Sequence, residues 1–78
     1  MIDNMPEYTI DLNWDSEAAV WIATSDDISG LILESGSLDA LIVRVKFAAP
    51  ELLDLNSINH TDPVRLCFRL ERHEVLIA

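Results

Sequence analysis

The chain has 78 residues, half of them hydrophobic, and a formal net charge of −9. This length accommodates one domain, spanning residues 1–78, with a small core, and the hydrophobic content excludes a chain that stays disordered. The excess of acidic side chains argues against direct nucleic-acid binding, which requires a cationic surface.

The first predicted strand runs from Tyr8 to Asp15, after a lead-in of residues 1–7. Apolar and polar side chains alternate along it, as in a strand with one buried face. The apolar face carries Tyr8, Ile10, Leu12 and Trp14. The polar face carries Thr9, Asp11, Asn13 and Asp15.

Two further strands are predicted before the pattern changes. Residues 19–25 form the second strand, and both of its faces are apolar enough that its orientation stays open. A loop over residues 26–30 follows, in which Gly30 relieves the backbone. The third strand is short, over residues 31–34, and ends at a break at residues 35–37.

A helix follows, because apolar residues now recur at helical spacing. They are Leu38, Leu41, Ile42, Val45, Ala49, Leu52 and Leu53. Ser37 is the predicted N-cap, and Asp39 suits the positive end of the helix dipole. Pro50 is incompatible with a regular straight helix, so we expect either a kink there or a break with a new turn beginning at Pro50.

The last predicted strand follows a polar loop. Its alternation places Val64, Leu66, Phe68 and Leu70 on one face and Arg65, Cys67, Arg69 and Glu71 on the other. If this strand lies beside the first, Arg65 and Arg69 can pair with Asp11 and Asn13; otherwise the two arginines contact a partner. Residues 72–78 form a C-terminal tail outside the core, apolar from Val75 to Ala78. The core spans about residues 8–71.

The element order is strand, strand, strand, helix, strand. The fold class predicted from it is α+β, an antiparallel meander with one helix packed on one face. One helix covers only one side of a sheet, so the other side must contact water or a partner. The uncovered face, the small core and the apolar tail together predict a homodimer or larger homo-oligomer.

The compartment predicted for the chain is the cytoplasm. Cys67 is the single cysteine and cannot form an internal disulfide, which fits a reducing environment. The first ten residues lack the basic and apolar regions of a signal peptide. The apolar runs are too short to span a bilayer.

No pattern of catalytic or ligand-binding residues emerges. Asp11 and Asp15 are the candidates for divalent-metal catalysis, but no third carboxylate is placed to join them. His60, Cys67 and His73 lack zinc-ligand spacing, and no glycine-rich phosphate loop is present. We therefore predict no catalytic residue, no metal and no cofactor, and a protein that is not an enzyme.

The middle of the chain resembles the HicB-like antitoxins over about residues 8–56. The resemblance rests on Val20-Trp21-Ile22-Ala23, on Asp27-Ile28-Ser29-Gly30 leading into Leu31, and on Ser37-Leu38-Asp39-Ala40-Leu41. The chain is closer still to a short, uncharacterised branch of that superfamily, which shares the Trp-rich first strands and the helix end Ala48 to Leu52. It departs from the family at Ser29, Leu31 and Ala40, where proline, cysteine and an acidic residue are usual.

This resemblance implies a partial RNase H-like fold without nuclease activity. The implied partner is a small basic mRNA-cleaving toxin of the HicA type, whose active site the antitoxin covers. HicB proteins often carry a DNA-binding segment at the C-terminus, which residues 57–78 are too short to provide in helix-turn-helix form. Two alternatives remain: a homo-oligomeric structural or regulatory domain without a toxin, and a DNA-binding transcriptional regulator.

The predicted toxin-binding surface combines an acidic lobe with a tryptophan. Residues 1–43 contain nine Asp and Glu and no Lys or Arg. If Val20 and Ile22 pack on the helix, Trp21 and Ala23 lie on the uncovered face, where a Trp is a typical interface anchor. In the other register Trp21 belongs to the core. The predicted partner-binding residues are Asp11, Trp21, Ala23, Asp26 and Asp27.

Overall fold

The computed structural model describes residues 5–56 and 63–77. They form a four-stranded sheet and one helix, in the chain order β1 (Glu7–Asp15), β2 (Val20–Thr24), β3 (Ile32–Ser35), α1 (Leu38–Leu55) and β4 (Arg65–Glu71). The predicted α+β class and the order of elements are confirmed, with strand ends shifted by about one residue. No helix in these ranges is long and apolar enough to cross a membrane.

The sheet is mixed rather than a simple meander. Its strand order is β3-β2-β1-β4. β1, β2 and β3 pair antiparallel, whereas β4 pairs parallel with β1. The fully antiparallel arrangement was therefore wrong. The physical reason is the helix: α1 carries the chain back to the end of the sheet where β1 begins, so that β4 runs in the same direction as β1.

The helix begins where the sequence predicted. The Ser37 hydroxyl accepts a hydrogen bond from the Ala40 backbone N–H at 3.2 Å, and Asp39 lies in the first turn. Leu41, Val45, Ala49 and Leu53 are its buried positions. Pro50 lies inside the single helix Leu38–Leu55, so the alternative of a break at Pro50 is wrong.

The core forms between α1 and one face of the sheet. Ile10 and Leu12 of β1 are fully buried, and Tyr8 and Trp14 pack against them, which confirms the predicted inner face of the first strand. The helix backbone approaches β3 and β2 but not β4, as far as the described residues extend. One half of the sheet is therefore covered more closely than the other.

Of the two registers considered for the second strand, the structure has the one in which Trp21 is core. Trp21 pairs with Trp14, and Ala23 pairs with Leu12. Trp21 is 7% exposed and Ala23 is fully buried. Ile22 points to the uncovered face instead. The placement of Trp21 and Ala23 on that face was wrong, because pairing with β1 orients their side chains towards the helix.

Candidate functional site

The sheet face that α1 leaves uncovered, here called the open face, is the candidate functional site. Strand pairing places polar side chains side by side across it, with Asp11 between Thr24 and Arg69, and Asn13 between Ile22 and Glu71. The same register adds Glu34 beside Ile22 and Arg65 beside Glu7. The open face comprises Glu7, Thr9, Asp11, Asn13, Asp15, Val20, Ile22, Thr24, Ile32, Glu34, Arg65, Cys67, Arg69 and Glu71.

Charge on the open face is predominantly negative. Arg69 lies on the edge strand β4 and lines two shallow hollows. One hollow is lined by Thr9, Asp11, Asp26, Asp27 and Arg69. The other is lined by Asp11, Asn13, Thr24, Arg69, Leu70 and Glu71. Four carboxylates, those of Asp11, Asp26, Asp27 and Glu71, line these hollows with the single guanidinium, so the region presents a negative field to an approaching molecule.

The loop after β2 brings two more carboxylates to the rim of the open face. The Asp27 carboxylate accepts a hydrogen bond from the Thr9 N–H at 2.7 Å, and the Ser25 hydroxyl donates to the Thr9 carbonyl at 2.7 Å. These side chains satisfy the β1 backbone at the point where β2 leaves the sheet. Both aspartates are exposed at the rim, and Asp27 also has a structural role through its bond to β1.

The conformation of this loop depends on Gly30. Gly30 has a φ of 85°, in the region that L-residues rarely adopt, and a Cβ there would lie 3.4 Å from the Leu52 side chain. Ile28 is fully buried beneath the loop, and the Leu31 N–H bonds back to its carbonyl. The loop is thus anchored to the core while its acidic residues face solvent.

The structure brings together some of the predicted partner-binding residues and separates others. Asp11 lies on the open face, and Asp26 and Asp27 lie at its rim. Trp21 and Ala23 lie on the opposite face, among the core residues. Arg69 lies beside Asp11, as the sequence allowed, but Arg65 lies beside Glu7 rather than Asn13.

Sequence reasoning did not include Glu34, Arg69 and Glu71 in the site. Alternation along the last strand had already assigned Arg69 and Glu71 to an outer face. What the sequence could not supply was the pairing of β4 with β1, which places both side chains beside Asp11 and Asn13. Glu34 joins through β3, beside Ile22.

Trp14 and Trp21 form a cluster on the helix-facing side of the sheet, near the end of β1. Their ring centroids are 5.5 Å apart, at an interplanar angle of 59°. The Arg72 guanidinium lies 4.2 Å from the Trp14 ring centroid and 5.8 Å from that of Trp21. This cation–π contact ties the start of the C-terminal tail to the end of β1.

Residues 5–56 and 63–77 contain no candidate metal site. No three of their His, Cys, Asp and Glu side chains are arranged to hold an ion. His73 bonds to Glu71 at 2.6 Å, and Cys67 is half-buried on the open face. His60, the third residue considered for zinc binding, lies outside the described residues.

Comparisons with known proteins place the chain among relatives of unknown role. A model of the family described as a domain of unknown function, DUF1902, matches residues 7–77. A crystal structure of hypothetical protein TTHA1013 from the extremely thermophilic bacterium Thermus thermophilus is 33% identical, with a TM-score of 0.69. The similarity covers 92% of this chain and 99% of that one. The comparison with curated proteins gives no match.

Proposed function

The chain belongs to the DUF1902 family, and we propose that it is a HicB-like antitoxin domain. In this proposal it binds and neutralises a small basic HicA-type mRNA-cleaving toxin in the cytoplasm. It acts by covering the toxin, not by catalysis. The open face and the adjoining Asp26 form the binding surface.

The observation that carries the proposal is the concentration of carboxylates on one uncovered sheet face. Asp11, Glu34 and Glu71 reach it from three different strands, and Asp26 extends it at the rim. A toxin that cleaves RNA needs a cationic surface for its substrate. An acidic sheet face of complementary charge can occupy that surface and exclude the RNA.

The structure changes which residues the proposal assigns to the contact. Trp21 supports the fold rather than the partner, because its ring is almost fully buried. The apolar side chains available to a partner on the open face are Val20 and Ile22, both half-buried, and Ile32, 71% exposed. Central apolar contacts surrounded by charged ones are typical of protein interfaces.

The test is co-expression with the neighbouring reading frame, if that frame encodes a small basic protein. A tag on this chain should retain the basic protein through purification, and the complex should not cleave RNA. Failure of a basic neighbour to co-purify, or unchanged RNA cleavage by the complex, would contradict the proposal.

Charge variants locate the contact. Asp26→Lys should slow association at low salt by about tenfold, because a charge at the rim acts mainly on the association rate. Glu51→Lys is the matched control: it changes the net charge equally from an exposed position on α1, outside the open face. Equal slowing in both variants would mean that net charge, not the open face, guides the partner.

A further inference from the structure

The outer edge of β4 and the tail that follows it carry several exposed apolar side chains. β4 is one of the two edge strands of the sheet, the other being β3, and the helix backbone does not approach β4. Leu70, on the helix-facing side of β4, is 53% exposed. Val75, Leu76 and Ile77 are 90%, 93% and 88% exposed.

The edge of β4 has the hydrogen-bonding groups of a strand that can accept another. The Arg65 N–H donates to the Pro6 carbonyl at 2.8 Å, so the backbone N–H and C=O groups of Arg65 point towards β1. The N–H and C=O groups of successive residues point to opposite sides of a strand. Those of Leu66, Phe68 and Leu70 therefore point towards the free edge. An unprotected edge of this kind is a template for pairing with another chain.

We propose that a second copy of this chain pairs antiparallel with the free edge of β4, centred on Phe68. The two sheets then join into one, with both helices on the same side. Phe68 lies opposite Phe68 of the second copy, and Leu66 lies opposite Leu70 of the second copy. This inference concerns the β4 edge and does not rest on the proposed function.

Charge selects this register. With Phe68 at the centre, Arg65 of each copy lies opposite Glu71 of the other, so two pairs of opposite charge form. With Cys67 at the centre, Arg65 lies opposite Arg69, and with Arg69 at the centre, Arg69 lies opposite itself. With Leu70 at the centre, only residues 69–71 of each β4 strand lie opposite one another. Like charges directly opposite each other destabilise a strand pair.

The same pairing gives the apolar tail a place. Beyond Glu71, the tail of one copy passes Arg65 and reaches Val64 of the other copy. Val64 lies at the end of a mainly apolar groove between α1 and β4, whose lining is Lys46, Ala49, Pro50, Leu53, Val64 and Leu66. Residues 72–77 span up to about 20 Å when extended, long enough to lie along this groove.

The oligomeric state tests the pairing, with the full chain of 8.8 kDa measured by light scattering after gel filtration. We expect twice the monomer mass at micromolar concentration. Replacing Val75, Leu76 and Ile77 together by serine should raise the dimer dissociation constant at least tenfold. Phe47→Ala, at an apolar side chain on α1 that is 75% exposed, should leave it unchanged. A wild-type monomer would overturn the proposal.

Charge reversal and cross-linking test the register. Glu71→Arg should weaken the dimer about tenfold, and adding Arg65→Glu should restore it. Arg69→Cys places a second thiol opposite Cys67 of the other copy, so mild oxidation should produce a covalent dimer. The wild type, with Cys67 alone, should not cross-link. Cross-linking of the wild type would overturn the Phe68 register, and failure of Arg69→Cys to cross-link would overturn pairing through β4.

Discussion

Two adjacent carboxylates in the loop after β2 have different roles, although the sequence presents them as equivalent. Asp27 accepts a hydrogen bond from the Thr9 N–H, which β2 no longer reaches. Both aspartates are exposed, and Asp26 lines the hollow beside Arg69. A substitution at Asp27 therefore changes the stability of the fold as well as the surface charge. A substitution at Asp26 changes the surface charge alone.

Asp27→Ala should lower the free energy of unfolding by about 1–2 kcal/mol, because it leaves the Thr9 N–H without its protein acceptor. Asp26→Ala should change it by less than about 0.5 kcal/mol, as is usual for a surface substitution. Urea denaturation of the two variants at equal protein concentration measures both values. Equal losses would show that the Asp27 bond contributes nothing specific.

The turn between β1 and β2 contains one residue with a strained backbone. Ala19, in the turn between β1 and β2, has a φ of 56° without being glycine. The Asp15 carboxylate accepts hydrogen bonds from the N–H groups of Glu17 and Ala18 in the same turn. These bonds hold a tight connection that contains neither glycine nor proline, at the cost of an unfavourable backbone angle at Ala19.

At the scale of elements, β2 shows how one strand distributes its side chains between core and surface. Trp21 and Ala23 face α1, while Ile22 faces outward between Asn13 and Glu34. The Trp21 ring also contacts the Trp14 ring in a tilted arrangement and lies near Arg72. β2 is therefore an inner strand whose large ring closes one end of the core.

Trp21→Ala should lower the free energy of unfolding by about 3–5 kcal/mol, because it leaves a cavity the size of an indole ring. In a domain this small, that loss consumes most of the stability. Ile22→Ala, the neighbouring residue on the open face, should cost about 1 kcal/mol. Thermal melts of both variants provide the comparison, and a larger loss for Ile22→Ala would mean that the strand register is reversed.

At the scale of the whole molecule, the net charge of −9 opposes compaction. The ion pairs between Arg65 and Glu7 and between Arg72 and Glu74 are largely exposed, so they offset little of this repulsion. The open face concentrates carboxylates where no helix covers them. Salt should therefore reduce repulsion more than it weakens attraction.

Raising NaCl from about 10 mM to about 300 mM should increase the urea midpoint of unfolding. The reason is that the screening length falls from about 30 Å to less than about 10 Å, within which only neighbouring charges still interact. The measurement is a set of urea titrations at one protein concentration, because self-association would make the midpoint depend on concentration. A midpoint that falls with salt would show that favourable ion pairs dominate.

The amino-acid sequence alone was sufficient to predict the elements and most of the core. Alternation assigned Ile10 and Leu12 to the inner face of β1, and helical spacing placed Leu41 and Val45 against the sheet; all four are fully buried. The cap at Ser37 followed from its side-chain chemistry. These features depend on near neighbours in the chain, which is why periodicity reveals them.

Only the tertiary structure decided the phase of β2 and the direction of β4. Val20 to Ala23 are apolar on both faces, so alternation carries no information about which face is inside; pairing with Trp14 and Leu12 determines it. The parallel pairing of β4 with β1 depends on the path of the helix between them. Both are long-range relations, and they determine that the candidate site consists of Asp11, Glu34, Arg69 and Glu71 rather than Trp21.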